Sequence, residues 1–311
     1  MKRELPIAAL RSACEYKELF DLSRISTMRV GGLARYFFKP VSKEELCRLL
    51  DILDEVGYPY KLIGGASNTL FCDDVYEGAV ISTRGLGSIS REGSSFLCEA
   101  GVSLASLLSY AAGCGYGGAE QLWHIPGTLG GAVAGNAGAH GLEVFDVLEG
   151  VYIRRGLDGR CVELSPELLE PSYRTTKIKC GADITVLGAT VGLDFSNAED
   201  ILRQKRKFAQ MRAKTQPIGE PSLGSVFKRS DGVSAAFYID KLGLKGYRVG
   251  GAAISDKHAG FIVAERGASP KDVLRLIAII KEKVHDAFGI GLECEIDIVG
   301  GADVLFDRTE K

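Results

Sequence analysis

The sequence predicts a layered protein, α+β or α/β, folded into two or three structural units. Short β-patterned runs alternate with amphipathic helical runs from residue 42 onward. The character of the chain changes near Ser196-Asn197, where a strongly charged helical segment begins. The length of 311 residues, 46% hydrophobic and 25% charged, is an ordinary globular composition with interior enough for a large ligand.

Each element has a local reason. The first 24 residues are read as a helical segment. Residues 42–57 form a helix, with Ser42 and Glu45 in capping-box spacing and Leu46, Leu49, Leu50 and Leu53 on one stripe. Tyr60–Ile63 is a short strand that runs into Gly64-Gly65-Ala66-Ser67-Asn68. Residues 78–83 and 94–100 read as strands, and 103–112 as a helix with Leu104, Leu107, Leu108 and Ala111 on one side. Glycines then crowd between Gly113 and Gly141. Strands follow near 149–154, 160–163 and 184–194. Asn197 caps a charged helix over 198–213, and a unit boundary is placed at about 195. Beyond it come a strand at 224–228, a helix at 233–242 and strands at 250–254 and 260–264. Ser269, Pro270 and Gly289 then bracket a helix over 270–288. The last strand, 292–299, alternates Leu292, Cys294, Ile296 and Ile298 against Glu293, Glu295 and Asp297.

Several classes of function are disfavoured. A formal net charge of -2 gives no bulk field for nucleic acid or an anionic membrane. The 8 cysteines form no CxxC pair and lie among apolar neighbours, and the 4 histidines lack metal spacing. Reduced thiols in a cytoplasmic protein without a metal site are expected. The charged N-terminus is unlike a signal peptide, and no apolar run reaches the roughly 18 residues of a membrane span.

Two glycine-rich segments could hold phosphate or a flat ring. In Ile63–Leu70 a strand enters consecutive small residues whose N–H groups can converge on an anion, and Ser67 and Asn68 add donors. In Ile125–Gly141, IPGTLGGAVAGNAGAHG, little side-chain bulk separates the main chain from a ligand. Neither is a Walker A loop or a GxGxxG fingerprint. Tight turns or close helix packing are the other reading of each.

The second segment resembles the flavin-contacting block of UDP-N-acetylenolpyruvoylglucosamine reductases, and GGASN resembles their pyrophosphate loop. Thr27–Gly32 (TMRVGG) resembles the opening of their FAD-binding domain. Ser172–Thr176 (SYRTT) resembles their arginine motif. Gln216-Pro217 with Pro221–Lys228 (PSLGSVFK) resembles their serine motif, and Phe288–Ile296 (FGIGLECEI) their terminal glutamate motif. Gly243–Gly251 and Ser255–Phe261 resemble later landmarks. The match is colinear from about residue 25 to 300. The short interval between Arg174 and Ser225 resembles the compact subclass without an extra tyrosine-bearing loop. The chain departs from the family's pattern at Ala66, where the loop usually has glycine, at Thr176 and Ile178, and at Ala264.

This resemblance implies an α+β fold. A two-subdomain FAD-binding domain of the vanillyl-alcohol-oxidase type would span 25–195, split near 85. A substrate-binding domain would cover 196–302, with a tail at 303–311. It also implies non-covalent FAD, NADPH as co-substrate, and reduction of the enolpyruvyl double bond of UDP-N-acetylglucosamine-enolpyruvate to UDP-N-acetylmuramate in peptidoglycan precursor synthesis. The cofactor-binding positions carried over are Gly64, Gly65, Ala66, Ser67, Asn68, Pro126, Gly127, Thr128, Gly130, Gly131, Asn136, Ala137, Gly138 and Gly141. The catalytic positions are Arg174 for the carboxylate, Ser225 as proton donor and Glu295 as organiser of the enolate. Arg212, Lys228 and Tyr173 would contact substrate. From pattern alone, Arg174 could equally be a structural ion pair, Ser225 a strand hydroxyl bonded to backbone, and Glu295 an exposed carboxylate. A carboxyl buried near like charges has a raised pKa, which would favour a protonated Glu295. The remaining cations of 203–214 read as a solvated helix face. A monomer acting on a small molecule is expected. The competing readings are another FAD oxidase of the same superfamily and a binding protein that has lost its flavin.

Overall fold

The helix Lys43–Val56 forms as its leucines dictate. Leu46, Leu49, Leu50 and Leu53 are each 0% exposed, and Ser42 Oγ accepts the Glu45 N–H at 3.2 Å. Glu45 does not complete the capping box on Ser42; its Oε2 accepts the Val41 N–H one residue earlier, at 3.0 Å. Gly57 ends the helix in the left-handed region. Each fully buried leucine contributes about 1.5–3 kcal/mol relative to exposure. The computed structural model that shows this describes residues 7–156 and 158–301.

The described chain divides into two discontinuous units. The first comprises the residues through Glu18, Tyr36–Gly65 and Gly78–Gln210; the second comprises Leu19–Arg35, Ala66–Glu77 and the chain from Met211. One four-stranded sheet has the order Tyr16–Asp21, Leu33–Phe38, Val75–Ser82, Tyr60–Ile63, and its last pair is parallel from Tyr60↔Ala79 to Ile63↔Ser82. In the first unit a five-stranded antiparallel sheet runs Cys161–Leu164, Leu148–Arg155, Ile184–Gly192, Ser95–Glu99, Ile89–Glu92. Its central strand, Ile184–Gly192, is buried along seven successive residues, as a strand covered on both faces requires. The helix Leu104–Gly113, capped by Ser103, adds Leu104, Leu107, Leu108 and Ala111 to the same core.

The second unit has its own core. An antiparallel sheet runs Ser222–Ser225, Phe261–Ala264, Ala252–Ile254, Arg248–Val249. The helix Pro270–Phe288 buries Val273, Leu274, Leu276, Ile277, Ile280 and Val284 in that core. Ser269 and Asp272 form a reciprocal capping box, and Gly289 closes the helix at φ 70°. Residues from three chain segments, among them Met28, Leu70 and Val226, share this core.

Two expectations are corrected. Among the described residues, the N-terminal segment is helical over Ile7–Ala13, while Tyr16–Asp21 is a strand and Leu22–Arg24 a 3₁₀ turn. Pairing beside Leu33–Phe38 overrides any local helical preference there. The last strand is not continuous over 292–299; only Asp297–Val299 is a strand, parallel to Thr69–Phe71. The segment changes partner along its length. Lys228 and Glu295 N–H groups bond Glu293 and Val226 carbonyls at 2.9 and 2.8 Å, whereas the Asp297 N–H bonds the Asn68 carbonyl at 2.8 Å. The side-chain alternation survives this hand-over, which is why the pattern read as one strand. The expected tail at 303–311 lies outside the described residues. No helix among the described residues is long and apolar enough to cross a membrane, and no cluster of His, Cys, Asp or Glu there could hold a metal ion.

Candidate active site

The two glycine-rich segments meet. A Cβ built on Gly64 would lie 2.2 Å from Thr128 Oγ1, and one on Gly65 would lie 2.9 Å from Gly127 Cα. A side chain at either position would force a shift; Gly65 abuts the Gly127 main chain, and Gly64 lies against the Thr128 side chain. Gly127 has φ 125°, a conformation that excludes L side chains. Arg84 Nη2 donates to the Gly65 carbonyl at 3.0 Å. Thr128 caps the short helix Leu129–Ala134, and Gly130 fits against Ala100 with its N–H on the Ala100 carbonyl at 2.9 Å. The Ala137 N–H turns the chain out of this helix by bonding the Ala132 carbonyl at 2.9 Å.

Asn136 is the polar centre of the block. It is 1% exposed, has φ 43°, and its Nδ2 donates to Glu143 Oε2 at 2.7 Å and to the Ser172 carbonyl at 3.1 Å. Its Oδ1 is buried with no hydrogen-bond partner. An orphaned buried acceptor beside glycine-lined backbone suits a ligand that brings its own donor, as the ring N–H of a flavin would. These residues therefore fit FAD: Gly64, Gly65, Pro126–Thr128, Gly130 and Gly131 would supply close backbone, and Asn136–Gly138 with Gly141 its continuation.

Arg174 is fixed to the same backbone. Its Nη1 donates to the Asn136 carbonyl at 3.3 Å and its Nη2 to the Gly138 carbonyl at 2.7 Å. Its own φ is 57°, strain that this anchoring sustains. Tyr173 is exposed, with its ring 5.3 Å from the guanidinium carbon. Thr176 Oγ1 donates to the Ala134 carbonyl at 2.7 Å, so the threonine at this departure from the family's pattern ties the arginine motif to the glycine block.

In the second unit, Ser225 and the Glu295 segment lie on adjacent backbones. Ser225 pairs with Phe261, one extra residue is accommodated between Ser222 and Ser225, and Gly224 takes φ 79° in this bulge. The Ser225 hydroxyl is half-buried and makes no hydrogen bond among the described residues. The next residue, Val226, accepts the Glu295 N–H, and the Glu295 carbonyl accepts Asn68 Nδ2 at 3.1 Å. Asn68 thus links the end of the GGASN loop to the glutamate segment. Lys228 is ion-paired with Glu293. Arg212 is half-buried without a carboxylate partner among the described residues, and burial depresses its pKa. Burial likewise lowers the pKa of His258, whose Nδ1 accepts the Gly260 N–H at 3.1 Å. That bond makes it part of the loop scaffold.

Ala66 takes φ 48° and is 5% exposed. The left-handed region costs an alanine about 1–2 kcal/mol, against the smaller entropic cost of glycine. Ala66→Gly is therefore expected to raise the melting temperature by about 2 °C. Differential scanning calorimetry checks this, and a lower melting temperature would show that the methyl packs usefully.

The sequence brings Arg174 to the glycine block in the first unit, and Ser225, Glu295, Asn68 and Lys228 together in the second. Neither Arg84, which holds the Gly65 carbonyl, nor Glu143, which accepts Asn136 Nδ2, stands in a motif that marks it. Lys205 was read as part of a solvated helix face, but its Nζ lies 3.9 Å from the Trp123 ring centre, and the His140 ring packs 5.1 Å from that of Phe208. These contacts dock the middle of the helix Ala198–Thr215 on Trp123 and His140 within the first unit.

Two family models match the chain. Residues 34–165 match the family model of an FAD binding domain, and residues 216–299 match that of the UDP-N-acetylenolpyruvoylglucosamine reductase C-terminal domain. The chain is thus an FAD-binding oxidoreductase of α+β fold. The UDP-N-acetylenolpyruvoylglucosamine reductase of Caldicellulosiruptor bescii is 38% identical over 293 residues, 93% of this chain and 92% of that protein. That of Geobacter metallireducens is 38% identical over 296 residues, 94% and 97% of the two chains. The crystal structure of UDP-N-acetylenolpyruvylglucosamine reductase from Thermus caldophilus superposes with a TM-score of 0.78 at 33% identity, covering 92% of this chain and 99% of that one. The chain belongs to the UDP-N-acetylenolpyruvoylglucosamine reductase family.

Proposed function

We propose that the chain reduces the enolpyruvyl double bond of UDP-N-acetylglucosamine-enolpyruvate with electrons from NADPH, giving the UDP-N-acetylmuramate precursor of peptidoglycan. The observation that carries this reading is the contact of the two glycine loops beside an arginine bonded to their backbone. In this reading residues 25–195 hold the cofactor and 196–302 the substrate, in a protein that acts as a monomer. Bound FAD supplies the hydride that reaches the terminal carbon of the substrate.

The protein's own groups handle the charge that this transfer creates. Negative charge develops on the adjacent carbon and its carboxylate. Arg174 meets that carboxylate with donors fixed in advance, since the Asn136 and Gly138 carbonyls already set the plane of its guanidinium. Ser225 donates the proton; its hydroxyl has no competing protein partner among the described residues. Glu295 organises the enolate from a segment bonded to the residue after Ser225. Arg212 serves the diphosphate, for a half-buried guanidinium without a counter-ion gains most from an anion. Lys228 assists it from its pair with Glu293, and Tyr173 lies along the substrate.

The purified protein is expected to be yellow, to bleach with NADPH in the absence of oxygen, and to regain colour when UDP-N-acetylglucosamine-enolpyruvate is added. Anaerobic absorption spectra test this. Recolouring by oxygen alone, with no response to the enolpyruvyl substrate, would replace the reading with an oxidase. A colourless protein that rejects FAD would replace it with a binding protein.

A further inference from the structure

Two cysteines outside this site face each other. Cys47 on the helix Lys43–Val56 and Cys161 at the start of the strand Cys161–Leu164 bring their Sγ atoms to 3.7 Å, both within the first unit. The helix is held rigidly, since Leu46 and Leu50 beside Cys47 are fully buried. Among the described residues the strand is the edge of its sheet, paired with Leu148–Arg155, where Cys161 stands opposite Arg154. Arg154 is 2% exposed and bonds Asp51 and Asp54 of the same helix at 2.5 and 2.9 Å. The buried Arg154 guanidinium, reaching carboxylates that stay partly in solvent, therefore clamps the helix to the neighbouring strand and keeps the thiols in register.

We propose that Cys47 and Cys161 form an oxidisable dithiol, a thiol–disulfide exchange site whose oxidant is a low-molecular-weight disulfide. Entry is through Cys161, which is exposed. Burial, and then the neighbouring Cys161 sulfur, push the half-buried Cys47 thiol up to about 12, so it is a poor first nucleophile. The Cys161 thiolate, its proton given to solvent, attacks one sulfur of the small disulfide. That S–S bond breaks, and one small thiolate leaves and takes up a proton. Cys47 then loses its proton to solvent and attacks Cys161 Sγ; the protein disulfide forms and the second small thiolate departs and is protonated. Two protein thiols are oxidised and one small disulfide is reduced to two thiols. The sulfurs must close from 3.7 Å to about 2 Å, a movement the edge strand can supply. The new link joins residues far apart in the chain and so constrains the unfolded state.

The test is incubation of the full-length protein with oxidised glutathione, followed by alkylation, digestion and mass spectrometry. The expected result is a Cys47–Cys161 linked peptide free of glutathione, with a melting temperature raised by about 5 °C or more and restored by dithiothreitol. Cys47→Ser should instead retain glutathione on Cys161, because the resolving thiol is gone. Wild-type protein that keeps glutathione on Cys161 without forming the link, or that leaves Cys161 unmodified, overturns the proposal.

Discussion

Ser225→Ala is expected to leave flavin reduction by NADPH at its normal rate while slowing oxidation of the reduced enzyme by the enolpyruvyl substrate by about 10²–10⁴-fold, the range that a positioned acid contributes. Stopped-flow absorbance of the two half-reactions separates the effects. The change removes one oxygen from a half-buried position whose hydroxyl bonds nothing else among the described residues, so the fold should not respond. The bulge that sets the position is a backbone device, with Gly224 at φ 79° and Ser225 paired to Phe261, and alanine preserves it. Equal losses in both half-reactions would show that Ser225 shapes the flavin site and does not deliver the proton. A normal rate in the second half-reaction would move the proton to another donor.

Gly65→Ala is expected to strike the other half of the reaction by weakening FAD. Its Cβ would lie 2.9 Å from Gly127 Cα, and neither backbone is a flexible side chain that could move aside. The methyl must push the loops apart or shift the Gly65 carbonyl from Arg84. Overpacking of this kind costs about 1–3 kcal/mol. If that cost falls on the bound state, the dissociation constant rises by about 5- to 150-fold. Titration of the apoprotein with FAD, followed by quenching of flavin fluorescence, measures it. Gly87→Ala is the control, because nothing lies within 4 Å of a Cβ there, and its affinity should match wild type. Wild-type affinity in Gly65→Ala would mean that the contact of the loops does not support the cofactor.

Local chemistry made much of the fold legible. Ser42 and Ser269 cap helices where their spacing to apolar stripes predicts, and Gly289 ends the second of them. These are short-range effects, and a sequence displays them directly. What stayed hidden was long-range. The strand Tyr16–Asp21 exists because of what it pairs with, and nothing in YKELFD separates it from the preceding helix. The final segment kept its two-residue period while exchanging one neighbour for another, and a period carries no information about partners. The candidate site divides in the same way. The glycine loops and the arginine, serine and glutamate motifs could be read as chemistry. Arg84 and the Lys205–Trp123 contact could not, since each matters only through one neighbour distant in sequence.

The exchange of neighbours near the C-terminus bears on how position 295 can be interrogated. The peptide group on each side of Glu295 carries a tertiary hydrogen bond, one from its amide to Val226 and one to its carbonyl from Asn68. Its location is thus settled by atoms common to every residue except proline. Isosteric exchanges there keep both backbone hydrogen bonds in place.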